Sequence, residues 1–261
     1  MAEHNNLYQY VTYYDLLFDR DVSREVDFIT RVYHHYTGGE LQSALEIACG
    51  PGYHARAFAR RGLQAVGLDL SPAMIALARA KDTAEGLAVS WLQADMRHFH
   101  LDYPVNVAFC LFDGLDALLS DEDIIQHFRS VADSLTPAGL YLIDLTHPRE
   151  CSFENYFPFR YFTEKNGVSV EINWATNNPR YDLATGAAHV ELEMRVNDQG
   201  DELIIHDAAN ERLFFPSEIR LLARLSGVLQ VMGWYGDFNL SQPLDYSPAS
   251  VRMIGILQKK E

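Results

Sequence analysis

Apolar residues recur every three to four positions between residues 7 and 37, a spacing that predicts α-helix with one buried face. After Gly39, short apolar runs alternate with segments of helical spacing. The apolar runs predict five strands, at 43–48, 64–69, 88–94, 105–111 and 140–145. The helical segments predict helices at 53–61, 72–80 and 121–135. This alternation favours an α/β protein whose parallel sheet has helices on both faces.

The pattern changes between residues 160 and 215. Apolar and polar residues alternate there in runs bounded by Asn, Asp, Gly and Pro, and no segment of helical spacing interrupts them. Such a stretch predicts antiparallel strands that are inserted into the α/β protein. A helix at 217–226 and two strands near 228–237 and 250–258 are predicted to follow.

Charge and composition limit the classes of function. The 261 residues carry a formal net charge of −15, which argues against nucleic acid as a partner, because phosphate binding requires clustered Lys and Arg. No apolar run approaches the roughly 20 residues that cross a bilayer, and the N-terminus lacks the pattern of a signal peptide. We therefore expect a cytoplasmic protein without a membrane partner, and a homodimer is left open.

The three cysteines stand far apart in the chain, at Cys49, Cys110 and Cys151. An odd number without paired spacing argues against a disulfide framework and against a zinc site, so we expect no metal. Isolated cysteines of this kind usually serve as small buried side chains.

A glycine-rich turn follows the first predicted strand. The run from Gly50 to Ala55 fits the dinucleotide-binding fingerprint, in which Ala can replace the third Gly. Asp69 comes 19 residues after Gly50, where an acid can bind ribose hydroxyls. These features fit a dinucleotide or another ligand that contains adenosine. Glu46 within the strand, and the absence of Lys and Arg from the turn until Arg56, favour a cationic ligand.

Four segments in order resemble the successive motifs of class I S-adenosylmethionine-dependent methyltransferases. They are "LEIACGPG", "VGLDLSPAMIALAR", "LQADMRHF" and "CLFDGLDALL". The leading "YYDLLF", the "ADMR" and "LFD" segments and the β insertion after strand five resemble the small-molecule N-methyltransferases of the amino-sugar type. Pro51 departs from the Thr or Ser that is common between the two glycines.

The resemblance implies a doubly wound, Rossmann-like fold with a seven-stranded, mostly parallel sheet and an antiparallel β insertion after strand five. It implies S-adenosyl-L-methionine as the cofactor, S-adenosyl-L-homocysteine as the product and a small-molecule acceptor, with N-methylation of an amine favoured. We expect the methyltransferase domain to span 1–148 and 216–261, with helices 7–37 as its cover. The insertion at 149–215 would line the acceptor site.

The resemblance also implies contacts with the methionine end of the cofactor. The backbone of Ala48, Gly50 and Gly52 would approach this end, because glycine admits close contact without a Cβ. Glu46 would support the turn. Leu111 would offer its carbonyl to the cofactor ammonium.

At the adenosine end, the resemblance implies a second group of contacts. Asp69 would accept from both ribose hydroxyls, and Leu70 would pack on the adenine. Asp95 would accept from the exocyclic amine, with Met96 beside the ring.

Catalytic candidates follow from the chemistry of methyl transfer to an amine. A base is needed only where the acceptor must lose a proton, and His147 and Asp113 lie beyond strands five and four, where the acceptor would bind. The resemblance implies that Tyr14 binds the cofactor carboxylate or faces the sulfonium. O- or C-methylation of a small metabolite is the alternative. A nicotinamide-dependent oxidoreductase, and a protein that binds the cofactor without turnover or modifies a peptide, also remain open.

Overall fold

The computed structural model describes residues 6–150, 156 and 158–261. These residues form two compact units. The larger unit contains 21–149 and 214–261, and the smaller unit contains the described residues of 1–20 and 150–213. Cys151 lies outside the described residues.

Strands and helices alternate along most of the described chain. The strands are β1 (Ser43–Ile47), β2 (Gln64–Asp69), β3 (Ser90–Gln93), β4 (Val105–Cys110), β5 (Leu135–Thr146), β6 (Phe159–Lys165), β7 (Val168–Trp174), β8 (Ala187–Asp198), β9 (Asp201–Arg212), β10 (Leu229–Tyr235) and β11 (Arg252–Lys259). The helices are α1 (Val11–Phe18), α2 (Ser23–Thr37), α3 (Tyr53–Arg60), α4 (Pro72–Glu85), α5 (Asp121–Asp133) and α6 (Pro216–Ser226). None of these helices is long and apolar enough to cross a bilayer.

The larger unit contains a seven-stranded sheet in the order β10-β11-β5-β4-β1-β2-β3. The strands β1 to β5 run parallel to one another, and β11 pairs antiparallel with both β5 and β10. The predicted α/β fold with a seven-stranded, mostly parallel sheet is therefore confirmed. Because parallel strands all end at one edge, the loops after β1, β2, β3 and β4 lie at the same edge of the sheet.

Two apolar layers cover the faces of this sheet. One layer joins α2, α3 and α4 to the sheet, and Phe28, Phe58 and Phe109 are fully buried in it. The other layer joins α5 and α6 to the opposite face through residues such as Phe128 and Leu222. Successive residues of a strand point to opposite faces, so Glu46 shares the α3 face of β1 with Ala44.

The smaller unit contains a four-stranded antiparallel sheet in the order β6-β7-β8-β9. The predicted antiparallel strands are thus confirmed. Helix α1 packs on this sheet through a cluster that includes Leu17 and Ile172. The indole of Trp174 stacks on Phe159 and donates a hydrogen bond to Glu211 (2.9 Å), so Trp174 contributes to the packing of this unit.

The N-terminal helical segment is divided, although periodicity predicts helix throughout 7–37. A short 3-10 helix (Asn6–Gln9), α1 and α2 occupy it, and the chain between Asp19 and Val22 is not helical. The Asp21 carboxylate accepts hydrogen bonds from the backbone (2.9 Å) and hydroxyl (2.6 Å) of Ser23, the first residue of α2. Residues before the break group with the smaller unit, and those after it group with the larger.

Candidate active site

The glycine turn after β1 adopts a backbone that most residues avoid. Ala48, Gly50 and Gly52 have φ angles of 54°, 50° and 71°. A Cβ on Gly50 would meet nothing within 4 Å, whereas one on Gly52 would lie 2.1 Å from the Trp91 indole. The Gly50 side of the turn is therefore open to a ligand. At position 52 the Trp91 indole already requires glycine, and the expected approach of the Gly52 backbone to the cofactor stays a prediction.

The Glu46 carboxylate supports the turn from below. Its Oε2 accepts a hydrogen bond from the backbone of Ala55 (2.8 Å) in the first turn of α3. Its Oε1 lies 2.8 Å from Nδ1 of His54. Both side chains are buried, so β1 and the start of α3 are joined by an interior polar contact. A carboxylate at a helix N-terminus is also favoured by the helix dipole.

His54 is a site residue that sequence reasoning missed. Since carboxylate oxygens only accept, its Nδ1 carries the proton that bonds to Glu46. Its Nε2 is buried and has no hydrogen-bond partner among the described residues. In the sequence, only its position eight residues after Glu46 pointed to this contact. The two side chains meet because the turn folds α3 back onto β1.

The Asp69 carboxylate lies at the end of β2, beside the glycine turn. Its Oδ2 accepts from the backbone of Gly50 (2.7 Å), and its Oδ1 accepts from the backbone of Ser71 (2.8 Å). Burial raises the pKa of Asp69, while these backbone donors act in the opposite direction. Next to it, the Leu70 side chain is 63% exposed and available to pack on a ligand.

Asp95 follows β3 and pairs with Arg97. The guanidinium approaches both carboxylate oxygens, with Nη2 at 2.6 Å from Oδ2 and Nε at 3.0 Å from Oδ1. These hydrogen bonds lower the pKa of Asp95. Met96, between the two residues, is half-buried. Sequence reasoning placed Asp95 and Met96 in this loop and missed Arg97.

The loop after β4 is held by an ion-pair network. Leu111 is buried, and the next residues, Phe112 and Asp113, both have positive φ. Oδ2 of Asp113 accepts from Arg252 (2.9 Å), and Oδ1 accepts from the backbone of Thr146.

Asp144 completes this network. Its Oδ1 accepts from Nε of Arg252 (2.7 Å), and its Oδ2 accepts from the backbone of Phe112 (3.0 Å). Burial raises the pKa of Asp144, and the Arg252 charge opposes that shift. Because Asp113 shares Arg252 with Asp144 and its contacts join three strands, they favour a structural role over the expected catalytic one.

His147 also has contacts that differ from those of a base. It is only 3% exposed, and its Nδ1 accepts from the backbone of Arg149 (3.0 Å). Its Nε2 donates to the carbonyl of Asp245 (2.9 Å) and lies 3.1 Å from the hydroxyl of Ser250. Both ring nitrogens are engaged, so proton abstraction would require these bonds to break. These contacts favour a histidine that anchors the segment between β10 and β11.

Tyr14 lies in α1, within the smaller unit. Its ring contacts those of Phe18 (4.6 Å) and Tyr8 (5.7 Å). Its expected role beside the cofactor stays a prediction.

The described cysteines and acidic clusters give no sign of a metal or disulfide. Cys49 and Cys110 are free and buried, and burial raises the pKa of both thiols. Among the residues that the structure describes, no group of three or more His, Cys, Asp and Glu side chains is arranged to hold a metal ion.

Comparisons with known proteins agree on one family of folds. Residues 44–139 match the family model described as "Methyltransferase domain". A dTDP-4-amino-2,3,4,6-tetradeoxy-D-glucose N,N-dimethyltransferase of Saccharopolyspora spinosa is 32% identical over 107 residues, which are 40% of this chain and 41% of that protein. The chain covers only 41–54% of the length of the curated relatives it matches.

Two solved structures share the fold along almost the whole chain. A crystal structure of an S-adenosylmethionine-dependent methyltransferase from Clostridium acetobutylicum matches with a TM-score of 0.77 and 17% identity, over 97% of this chain and 99% of that one. The crystal structure of Streptomyces venezuelae DesVI matches with a TM-score of 0.76 and 22% identity, over 98% of each chain. The fold is therefore that of Rossmann-like methyltransferases.

Proposed function

We propose that this chain, with its methyltransferase domain at residues 44–139, is an S-adenosylmethionine-dependent methyltransferase that methylates the nitrogen of a small-molecule amine. The names of its curated relatives support this acceptor class, since three of them are N,N-dimethyltransferases of dTDP-amino sugars. The Rossmann-like sheet supports the cofactor class, because ligands of such sheets bind at the strand ends where the candidate residues lie.

One observation carries the proposal. The turn is open beside Gly50, the carboxylates of Glu46 and Asp69 lie next to it, and no Lys or Arg occurs between Ala48 and Ala55. A pyrophosphate in such a turn is held by backbone N–H groups at the helix N-terminus, and here the Glu46 carboxylate already accepts from the backbone of Ala55 at that place. A sulfonium ligand with an ammonium group suits this acidic surrounding. The donor set therefore fits S-adenosylmethionine better than a pyrophosphate.

The residues that would hold the cofactor follow from these positions. Asp69 would accept from the ribose hydroxyls, and Leu70 would cover one face of the adenine. Asp95 and Met96 would contact the adenine edge, and Leu111 would offer its carbonyl to the ammonium.

The chemistry requires little more from the protein than alignment. When bound, S-adenosylmethionine supplies a methyl group that is already activated by the sulfonium. The protein has to place the acceptor nitrogen in line and exclude water. The contacts of His147 and Asp113 support a mechanism without a dedicated base, in which the site takes up the neutral amine from solution.

The test is a turnover assay with a panel of acceptors. We expect S-adenosylhomocysteine to form from S-adenosylmethionine only when an amine is added, with dTDP-amino sugars as the first members of the panel. Asp69→Ala serves as the control for the cofactor site. Turnover with phenols or carboxylic acids but with no amine would assign O-methylation instead. Failure of the protein to bind S-adenosylmethionine at all would contradict the proposal.

A further inference from the structure

Helix α5 carries a polar stripe on one face, made of Asp123, His127 and Ser130. Their spacing of four and three residues places them above one another on the helix. All three contact the loop after β3. Asp123 accepts from the Arg97 guanidinium (2.9 Å), His127 Nδ1 lies 2.9 Å from the carbonyl of Met96, and the Ser130 hydroxyl donates to the carbonyl of Arg97 (2.7 Å).

His127 is the central and most deeply buried contact. Burial lowers its pKa to about 4, so the ring is neutral near pH 7. The carbonyl of Met96 can only accept, which assigns the ring proton to Nδ1. Nε2 therefore accepts, and the hydroxyl of Tyr141 donates to it (2.7 Å). Every polar atom of the ring is satisfied, and the ring has a single favoured orientation.

The stripe continues to Asp95 through Arg97. The same guanidinium that bonds to Asp123 makes the paired contacts with the Asp95 carboxylate. The direction of the Asp95 oxygens is thus fixed by a chain of charged hydrogen bonds that begins on α5.

Packing alone does not require this stripe. The apolar face of α5, through Ile124, Phe128 and Val131, already joins the helix to the sheet. Burying polar groups is costly unless they are fully hydrogen-bonded. Apolar side chains could hold α5 against the loop equally well. What the hydrogen bonds add is direction, because they hold particular atoms of Met96 and Arg97 at defined places.

We propose that the α5 stripe positions the loop at Asp95–Arg97, so that its atoms are correctly placed to bind the adenine ring. Asp123, His127 and Ser130 need not touch the cofactor, and they act through the backbone of Met96 and the carboxylate of Asp95. The proposal rests on the proposed function, since it concerns the adenine of S-adenosylmethionine. It adds that recognition of the 6-amino group depends on a helix behind the loop.

The test compares two buried serines, Ser130 in α5 and Ser134 directly after its last residue. Ser130→Ala removes the hydroxyl that bonds to the loop. Ser134→Ala removes a hydroxyl whose partner, among the described residues, is the carbonyl of Ser130 (2.9 Å). Calorimetric titration of each variant would use S-adenosylhomocysteine and S-inosylhomocysteine, which differ in the 6-amino group. We expect the unmodified protein to prefer the adenine ligand. Ser130→Ala should reduce that preference about fivefold, and Ser134→Ala should leave it unchanged.

Three outcomes would overturn the proposal. Equal losses for both ligands in Ser130→Ala would show that the hydroxyl only supports the fold, and an equal effect of Ser134→Ala would show that the loop contact is irrelevant. If the unmodified protein binds neither ligand, the proposed function fails together with this one. Asp123→Asn provides a second variant, which loosens Arg97 without changing size and should also reduce the preference.

Discussion

At the scale of single residues, the two glycines of the turn after β1 have different reasons to be glycine. Gly50 faces open space, and Gly52 faces the Trp91 indole. Both have positive φ, so an alanine at either position is strained by about 1–2 kcal/mol. Only at position 52 would the added methyl group also clash with a buried ring.

Replacing each glycine by alanine separates these reasons. Gly52→Ala should lower the free energy of unfolding by about 3 kcal/mol or more, because overpacking adds to the backbone strain. Gly50→Ala should cost about half as much stability and should weaken cofactor binding more strongly. Urea unfolding and calorimetric titration of both variants would check this, and equal losses of stability would contradict it.

Asp69 is expected to contribute most to ribose binding. Asp69→Ala should weaken binding of S-adenosylmethionine by about 1.5–3 kcal/mol, the range for hydrogen bonds to a charged group. Titration calorimetry measures the change. Asp82→Ala is a control that removes another buried carboxylate of the same unit, which bonds to Trp91. Unchanged affinity in Asp69→Ala would remove Asp69 from the site.

His147 provides a test between a base and an anchor. If it anchors the segment between β10 and β11, His147→Ala should cost about 2 kcal/mol of stability, because buried partners lose their hydrogen bonds. The pH–rate profile of the variant should then run parallel to that of the parent. A loss of turnover of about 10²-fold that recovers at high pH would instead support the base.

The sequence predicts part of the site at this scale. Glu46, Asp69 and Asp95 could be placed at one edge because parallel strands end together. The hydrogen-bond partners of these carboxylates could not be predicted. For example, Arg97 contacts Asp95 because of the side-chain rotamer that it adopts, which a sequence pattern does not specify. The Nε2 contacts of His147 come from residues about 100 positions later in the chain, beyond any local pattern.

At the scale of elements, periodicity predicts the type of most segments and is weaker at their ends. The predicted strand at 140–145 lies within the longer β5, which begins at Leu135 and has an irregular register with β4. Helix α5 ends at Asp133, close to the prediction. The polar stripe of α5 was not predicted, because its meaning depends on a loop that approaches from β3.

The buried His127 of α5 should make stability depend on pH. Its pKa is lowered from 6.5 to about 4. Between these pH values His127 is protonated in the unfolded chain and neutral in the folded protein, so stability falls as the pH falls. The contribution of neutral His127 to the free energy of unfolding is fully present above pH 6.5. It is lost as the pH falls towards 4, and the total loss is about 3 kcal/mol.

His127→Gln is the matched variant without a titrating ring. The advantage of the parent over this variant in free energy of unfolding should shrink between pH 7 and pH 4. Urea unfolding at several pH values measures this advantage. The Asp and Glu carboxylates titrate in both proteins, so their effect cancels in the difference between parent and variant. A difference that stays constant with pH would contradict the buried, neutral ring.

At the scale of the whole molecule, each of the two compact units is formed by two separate segments of the chain. The larger unit contains every candidate site residue except Tyr14. The insertion was predictable because its strands alternate in polarity and lack helical spacing. The assignment of α1 to the smaller unit was not, because its residues have the same helical period as those of α2.

Titration calorimetry of the whole protein with S-adenosylhomocysteine and with NADH tests most directly whether the glycine turn holds S-adenosylmethionine. The acidic turn without Lys or Arg predicts one-to-one binding of S-adenosylhomocysteine with micromolar affinity, and no measurable binding of NADH. Micromolar binding of NADH, with no heat from S-adenosylhomocysteine, would contradict the account and favour a nicotinamide-dependent oxidoreductase.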